Sequence, residues 1–203
     1  MTSFDIASGG EGGIGTSSRV IDKSLGGYTV GVLVQANYGG RRQLTIAGVP
    51  VGMELSDTLP LKIKDEPLAS ILQPDELAEV GSIIVVVATD APLLPHQLKR
   101  VVQRVSLGIG KVGGIGGNGS GDIFIAFSTA NKKAFSRTNE TTLNLYSNDL
   151  MGGIFAATIQ ATEESIINAL VAGQTMIGIN DNTAYGLPHE AVKNILRKYK
   201  RIK

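Results

Sequence analysis

The chain has 203 residues, 42% of them hydrophobic, enough to bury one sizeable core. Its 19 basic and 18 acidic side chains are scattered and leave a net charge of +1, which excludes the cationic surplus of a nucleic-acid or membrane-surface binder. Cysteine is absent, which excludes disulfides and a thiol nucleophile and fits a reducing compartment.

In chain order, the opening MTSFDIASGGEGG lacks the basic-then-apolar order of a signal peptide. YTVGVLVQANYG, Tyr28 to Gly39, reads as a strand of mixed apolar character. Val51 to Val80, with three prolines and several acids, reads as an irregular excursion or linker. GSIIVVVATD, Gly81 to Asp90, predicts a strand buried on both faces; its apolar run, Ile83 to Ala88, is too short to span a bilayer. Pro92 to Leu107 carries Leu98, Val101, Val102 and Val105 at helical spacing, with Lys99, Arg100, Gln103 and Arg104 opposite. Ile123 to Ser128 alternates as a strand, Ile123, Ile125 and Phe127 on one side and Phe124, Ala126 and Ser128 on the other. A long helix follows from Asp149, with Phe155, Ile159, Thr162, Ile166, Ala169 and Leu170 on one stripe. A last helix spans Leu187 to Lys200, opening near Pro188 and ending basic, as the helix dipole favours. The expectation is one soluble, cytoplasmic domain, residues 1–203.

Glycine is the unusual residue, 26 in all, nearly twice the ordinary usage of about 7%, and it clusters at joints. Three readings compete for the run that leads into Ser120. Gly108, Gly110 and Gly113 match the dinucleotide fingerprint G-x-G-x-x-G, but that chemistry needs the glycines after a strand and opening a helix, and here they follow a helix and lead to a strand. A plain flexible loop is the second reading. The third is a self-cutting joint. Glycines at 119 and 121 free the backbone for a strained geometry in which the Ser120 hydroxyl attacks the Gly119 carbonyl. The cut would leave an α-amine on Ser120, with an ordinary pKa of about 7.7 to 8.0, so that nucleophile and general base belong to one residue. No cluster of His, Asp and Glu has metal-ligand spacing, so neither cofactor nor metal is expected. His96 and His189 read as structural.

The strings GGIGTSSRV (Gly12 to Val20), YTVGVLVQANYG, GVPVG (Gly48 to Gly52), GSIIVVVATDAPLLPHQLKR (Gly81 to Arg100), GNGSGDIFIAFSTAN (Gly117 to Asn131), TEESIINALV (Thr162 to Val171) and AYGLPHEAV (Ala184 to Val192) resemble the DmpA-type aminopeptidases. That family comprises L-aminopeptidase/D-amidase/D-esterases and beta-peptidyl aminopeptidases. The resemblance runs in family order over nearly the whole chain. It implies an α+β fold, an αββα sandwich like that of the N-terminal-nucleophile hydrolases, lacking here the N-terminal part of the family fold. It also implies autoprocessing between Gly119 and Ser120 into an α chain, 1–119, and a β chain, 120–203. The implied activity is hydrolysis of short peptides, amides or esters with a free amino terminus, by a homo-oligomer of processed heterodimers. A missing N-terminal polypeptide is a further possible partner, and the alternative is a catalytically idle fragment or binding partner that keeps the family core.

By the resemblance Ser120 is the nucleophile, and a serine and an acid two residues apart support it. Ser147 and Asp149, in LYSNDL, are the candidates, with Asp149 in place of a more usual glutamate. Equally, either could only cap the long helix. Thr162 and Glu164 have the same spacing, but two helical positions lie about 200° apart and point to different faces. Asn37 matches the asparagine of the family strand and could donate to an oxyanion, or merely end that strand.

Overall fold

The computed structural model describes residues 13–56, 81–117, 120–137, 140–177 and 183–203. Four strands form the main sheet, β1 (Gly13–Val20), β2 (Thr29–Asn37), β3 (Ser82–Thr89) and β4 (Ile123–Ser128), in that spatial order. The first three run antiparallel and β4 runs parallel to β3, so the return from β3 needs a crossover element. Helix α2 (Pro95–Lys111) supplies it; α3 (Met151–Ala172) lies beside it, and α1 (Val51–Ser56) and α4 (His189–Lys198) pack on each other at one side. A two-stranded ribbon, β5 (Met176–Ile177) with β6 (Thr183–Ala184), joins α3 to α4. The remainder of the expected excursion, residues 57–80, lies outside the described residues.

Both long helices cover the same face of the sheet. On that face Val30, Val32, Val34 and Ala36 of β2 and Ile83, Val85 and Val87 of β3 are buried against Ile154, Ala157, Ala161, Ile166 and Ala169 of α3 and Val101, Val105 and Ile109 of α2. The contact with β1 is unusually close. A Cβ added at Gly15 would sit 2.0 Å from the Ser165 carbonyl oxygen and 2.6 Å from the Ala169 nitrogen, so only glycine lets α3 lie on that strand. Ser165, fully buried, shares its hydroxyl proton between the Ala161 and Val32 carbonyls, at 2.7 and 3.2 Å.

The opposite face of the sheet is uncovered. The register sets Leu33 beside Val86 and Val86 beside Ile125, and Ile14, Val20, Leu33, Ile84, Ile123, Ile125 and Phe127 are all exposed. The only charged side chain in the four main strands, Arg19, belongs to the helix side, where it pairs with Glu164. This corrects the reading of β3 as buried on both faces: Ile83, Val85, Val87 and Thr89 are covered, while Ile84 is 37% exposed. Its unbroken apolar run reflects a second face that is apolar and exposed among the described residues. Two of the four sandwich layers, one of helices and one of sheet, are present among the described residues.

The glycine fingerprint has a packing explanation. Gly108 and Gly110 lie inside the last turns of α2, and Gly108 is buried where α2 meets α3, 2.7 Å from Thr162 Cβ if a Cβ is added. Neither opens a helix, so the arrangement that would place a pyrophosphate on a helix N-terminus is absent here.

Candidate active site at the sheet end

The parallel register of β3 and β4 brings the glycine joint beside the start of β3, which itself lies against the end of β2. Asn37 pairs with Ser82, and the Gly121 N–H donates to Ser82 Oγ at 3.1 Å, so three strands converge at one edge. Ser120 is half-buried there. Its N–H donates to the Gly117 carbonyl at 2.9 Å, which curls the end of the glycine run back on itself. Its hydroxyl donates to Asp122 Oδ1 at 2.5 Å, and the same carboxylate oxygen accepts the Ile83 N–H at 3.2 Å. Gly119 lies outside the described residues.

Asn37 is in the same row. Two inter-strand spacings separate it from Gly121, roughly 10 Å, and its Oδ1 is buried with no hydrogen-bond partner among the described residues. An orphaned amide oxygen of this kind costs about 1 to 3 kcal/mol unless something arrives to satisfy it. Beside Asn37, on the helix side, an open cleft is lined by Tyr38, Gly39, Gly40, Arg41, Gly113, Gly114, Ile166 and Leu170 among others. The loop that forms one wall of this cleft continues into the Gly117 carbonyl that holds Ser120. Burial pushes the Arg41 guanidinium below its ordinary value, with Tyr185 opposing the shift.

The other expected partners of Ser120 are elsewhere. Ser147 and Asp149 are exposed and stand at the far end of the sheet. The segment is anchored there by the Tyr146 N–H on the Pro92 carbonyl at 2.9 Å and the Tyr146 hydroxyl on the Leu25 carbonyl at 2.6 Å. Gln97, fully buried, donates to the Tyr146 carbonyl at 2.8 Å and to Asn148 Oδ1 at 3.0 Å, fixing the same segment to the start of α2. The length of β3, about 23 Å at 3.3 Å per residue, separates this end from Ser120. The structure does not bring Ser147 and Asp149 beside Ser120. Ser147 makes no capping hydrogen bond either, so the capping alternative is not realised by its side chain.

Thr162 and Glu164 do point to different sides. Thr162, buried under Gly108, donates to the Thr158 carbonyl at 2.8 Å. Glu164 faces β1, where it accepts the Ser17 hydroxyl and pairs with Arg19. The Ser17 hydrogen bond and then the Arg19 charge hold its carboxyl below the usual value, and neither residue reaches Ser120. His96 is exposed on the first turn of α2, and His189 contacts the Val171 carbonyl at 3.0 Å. No group of three or more His, Asp or Glu that could hold a metal occurs among the described residues, and no described helix is long and apolar enough to cross a membrane.

A half-buried serine just ahead of a strand, after a glycine loop and beside a carboxylate, is accompanied by a specific match. The model of peptidase family S58 matches residues 5–184. The chain belongs to peptidase family S58. Beta-peptidyl aminopeptidase BapA of Sphingosinicella microcystinivorans is 48% identical over 195 residues, covering 96% of this chain and 49% of that protein. A second protein of that name, from Sphingosinicella xenopeptidilytica, is 41% identical over 191 residues, covering 92% and 46%. Among solved structures, the L-aminopeptidase D-Ala-esterase/amidase of Ochrobactrum anthropi, described as a prototype of the serine aminopeptidases and a variant of the Ntn hydrolase fold, superposes with a TM-score of 0.79. It is 41% identical and the match covers 95% of this chain and 49% of that one. This S58 chain thus has the Ntn-type α+β fold, and it spans about half the length of the curated relatives it matches.

Asp122 and Ser82 are absent from the sequence reading of this S58 site. The available signal was Ser-Gly-Asp itself, a serine and an acid two residues apart, the spacing sought in LYSNDL and present at the joint.

Proposed function

We propose that this chain carries the nucleophile of a serine aminopeptidase that cuts its own backbone before Ser120 and then hydrolyses short peptides, amides or esters with a free amino terminus. The observation that supports this most is the Ser120 hydroxyl, held 2.5 Å from a carboxylate at the head of β4, in a chain of peptidase family S58. In this reading the newly freed α-amine, with an ordinary pKa of about 7.7 to 8.0, takes the hydroxyl proton during turnover. Asn37, in the same row two strands away, supplies the amide that meets the developing oxyanion. The working form is an oligomer of processed pairs in the cytoplasm.

Intact-mass measurement of the purified protein tests it. Two fragments, 1–119 and 120–203, are expected from the wild type and a single uncut chain from Ser120→Ala. A wild-type chain that stays whole on prolonged incubation while folded sinks the reading. A second reading, a binding partner without its own chemistry, draws support from the uncovered apolar face of the sheet, and it predicts that whole chain.

A further inference from the structure

Resting on the reading of Ser120 as a self-cutting nucleophile, we infer that Asp122 is the proton acceptor for the Ser120 hydroxyl in the cutting step. Before the cut the Ser120 nitrogen is an amide and has no basic lone pair, so some other group must accept the proton. Among the described residues the hydrogen-bond acceptor of Ser120 Oγ is Asp122 Oδ1, at 2.5 Å. That separation is in the range of charge-assisted O–H···O⁻ bonds, which run about 2.5 to 2.7 Å.

The acceptor is also held still. Asp122 Oδ1 takes the Ile83 N–H at 3.2 Å, which extends the β3–β4 ladder by one rung, and the intervening Gly121 is tied to Ser82 Oγ at 3.1 Å. Ser120 and Asp122 flank Gly121 immediately before β4, and their side chains meet directly. The two groups are thus set by main-chain pairing rather than by a mobile loop.

The step balances without any further reagent than water. Asp122 Oδ1 takes the hydroxyl proton as Ser120 Oγ bonds to the carbonyl carbon of the preceding residue. The peptide C–N bond breaks as that proton passes to the departing nitrogen, leaving an ester on Oγ and a free amine on Ser120. Water hydrolyses the ester, releasing the upstream chain as a carboxylate and restoring the hydroxyl. Asp122 ends as it began.

The test compares wild type with Asp122→Asn, Asp122→Ala and Ser120→Ala, following two signals: the cut, by intact mass against time, and labelling of Ser120 by diisopropyl fluorophosphate, located by peptide mass. Asparagine keeps an oxygen that accepts from both Ile83 and Ser120 but takes no proton. Its cutting rate should fall about a hundredfold or more, the usual worth of a positioned proton acceptor, with labelling falling alongside. Asp122→Ala should be as slow, and formate but not chloride at equal ionic strength should restore part of the rate; a purely structural carboxylate would not be replaced by formate. Should the alanine variant fail to fold, the asparagine variant decides. If wild type is cut and Asp122→Asn is cut at an undiminished rate, the inference falls while the reading of Ser120 stands. An uncut wild type whose labelling depends on Asp122 overturns self-cutting but keeps the pair, and an uncut wild type whose labelling is absent or unchanged in the variant overturns both.

Discussion

Two glycines two residues apart in α2 should respond to alanine with opposite signs. In a helix interior alanine is favoured over glycine by about 0.8 to 1 kcal/mol, because it loses less backbone entropy. At Gly110 a new Cβ meets nothing within 4 Å, so that gain is the whole effect, reduced by its position in the last turn to about 0.5 kcal/mol. At Gly108 the Cβ would lie 2.7 Å from Thr162 Cβ, 2.8 Å from the Ile159 carbonyl oxygen and 2.9 Å from Thr162 Cγ2. Two of these atoms are fixed to the α3 backbone, and Thr162 is fully buried with its hydroxyl committed to Thr158, so no rotamer change relieves the contact. The helices must separate by about half an ångström or more, and overpacking of that kind costs about 1 to 3 kcal/mol. With atoms this close the clash exceeds the propensity gain, leaving Gly108→Ala destabilised by up to about 2 kcal/mol. For a chain of this size each kcal/mol moves the melting temperature by about 2 to 4 °C, so the two variants should differ by several degrees with wild type between them. Differential scanning fluorimetry with urea midpoints on the three proteins is sufficient. A Gly108→Ala melting point equal to or above that of Gly110→Ala refutes the close approach of α2 and α3 as the reason for glycine at 108.

Gln97→Leu should destabilise by about 2 kcal/mol or more, because it removes the partners of the Leu94 N–H and the Tyr146 carbonyl around a fully buried position; urea unfolding measures it, and an unchanged midpoint would show that the loop before α3 does not depend on this side chain. Glu164 makes a smaller contribution that depends on pH. Its folded value is below the ordinary 4.5, so its share of the stability is complete above that pH and is lost as the pH falls through the lower folded value. With its carboxylate 44% exposed the contribution is limited to about 1 kcal/mol, so Glu164→Gln should melt only a few degrees lower at neutral pH, and the gap should close on acidification below 4.5; a gap that persists or widens there contradicts the assignment.

Much of the scaffold was legible in the sequence because it is written in periods. The strand over β2, the alternation of β4, the stripe of α2 and the long α3 follow from apolar spacing, and their observed limits differ from the predicted ones by a few residues at the ends. β1 escaped that method for a physical reason. Its buried positions are Gly13 and Gly15, and Gly15 has no room for a side chain under α3, so the strand shows no apolar alternation to read. The short α1 escaped too, its six residues lying inside a stretch dominated by prolines further on. Ser120 stood out because a glycine run ending on a serine at a strand start is a local feature.

What the residues around Ser120 do was not local, and there the chain order misled. Ser147 and Asp149 have a suitable spacing, yet spacing along the chain says nothing about which end of the sheet a loop returns to. The parallel pairing of β4 with β3 decides that Ser120 adjoins Ser82 and Asn37, while Gln97 and the Pro92 carbonyl hold residues 146–148 at the other end. Residue types, periods and the one obligatory serine are properties of neighbours in sequence, and the sequence determined them alone. Which carboxylate meets that serine, and which face of the sheet is left bare, depend on strand order and helix placement, which come from burying one apolar face against two helices and exist only once the chain has folded.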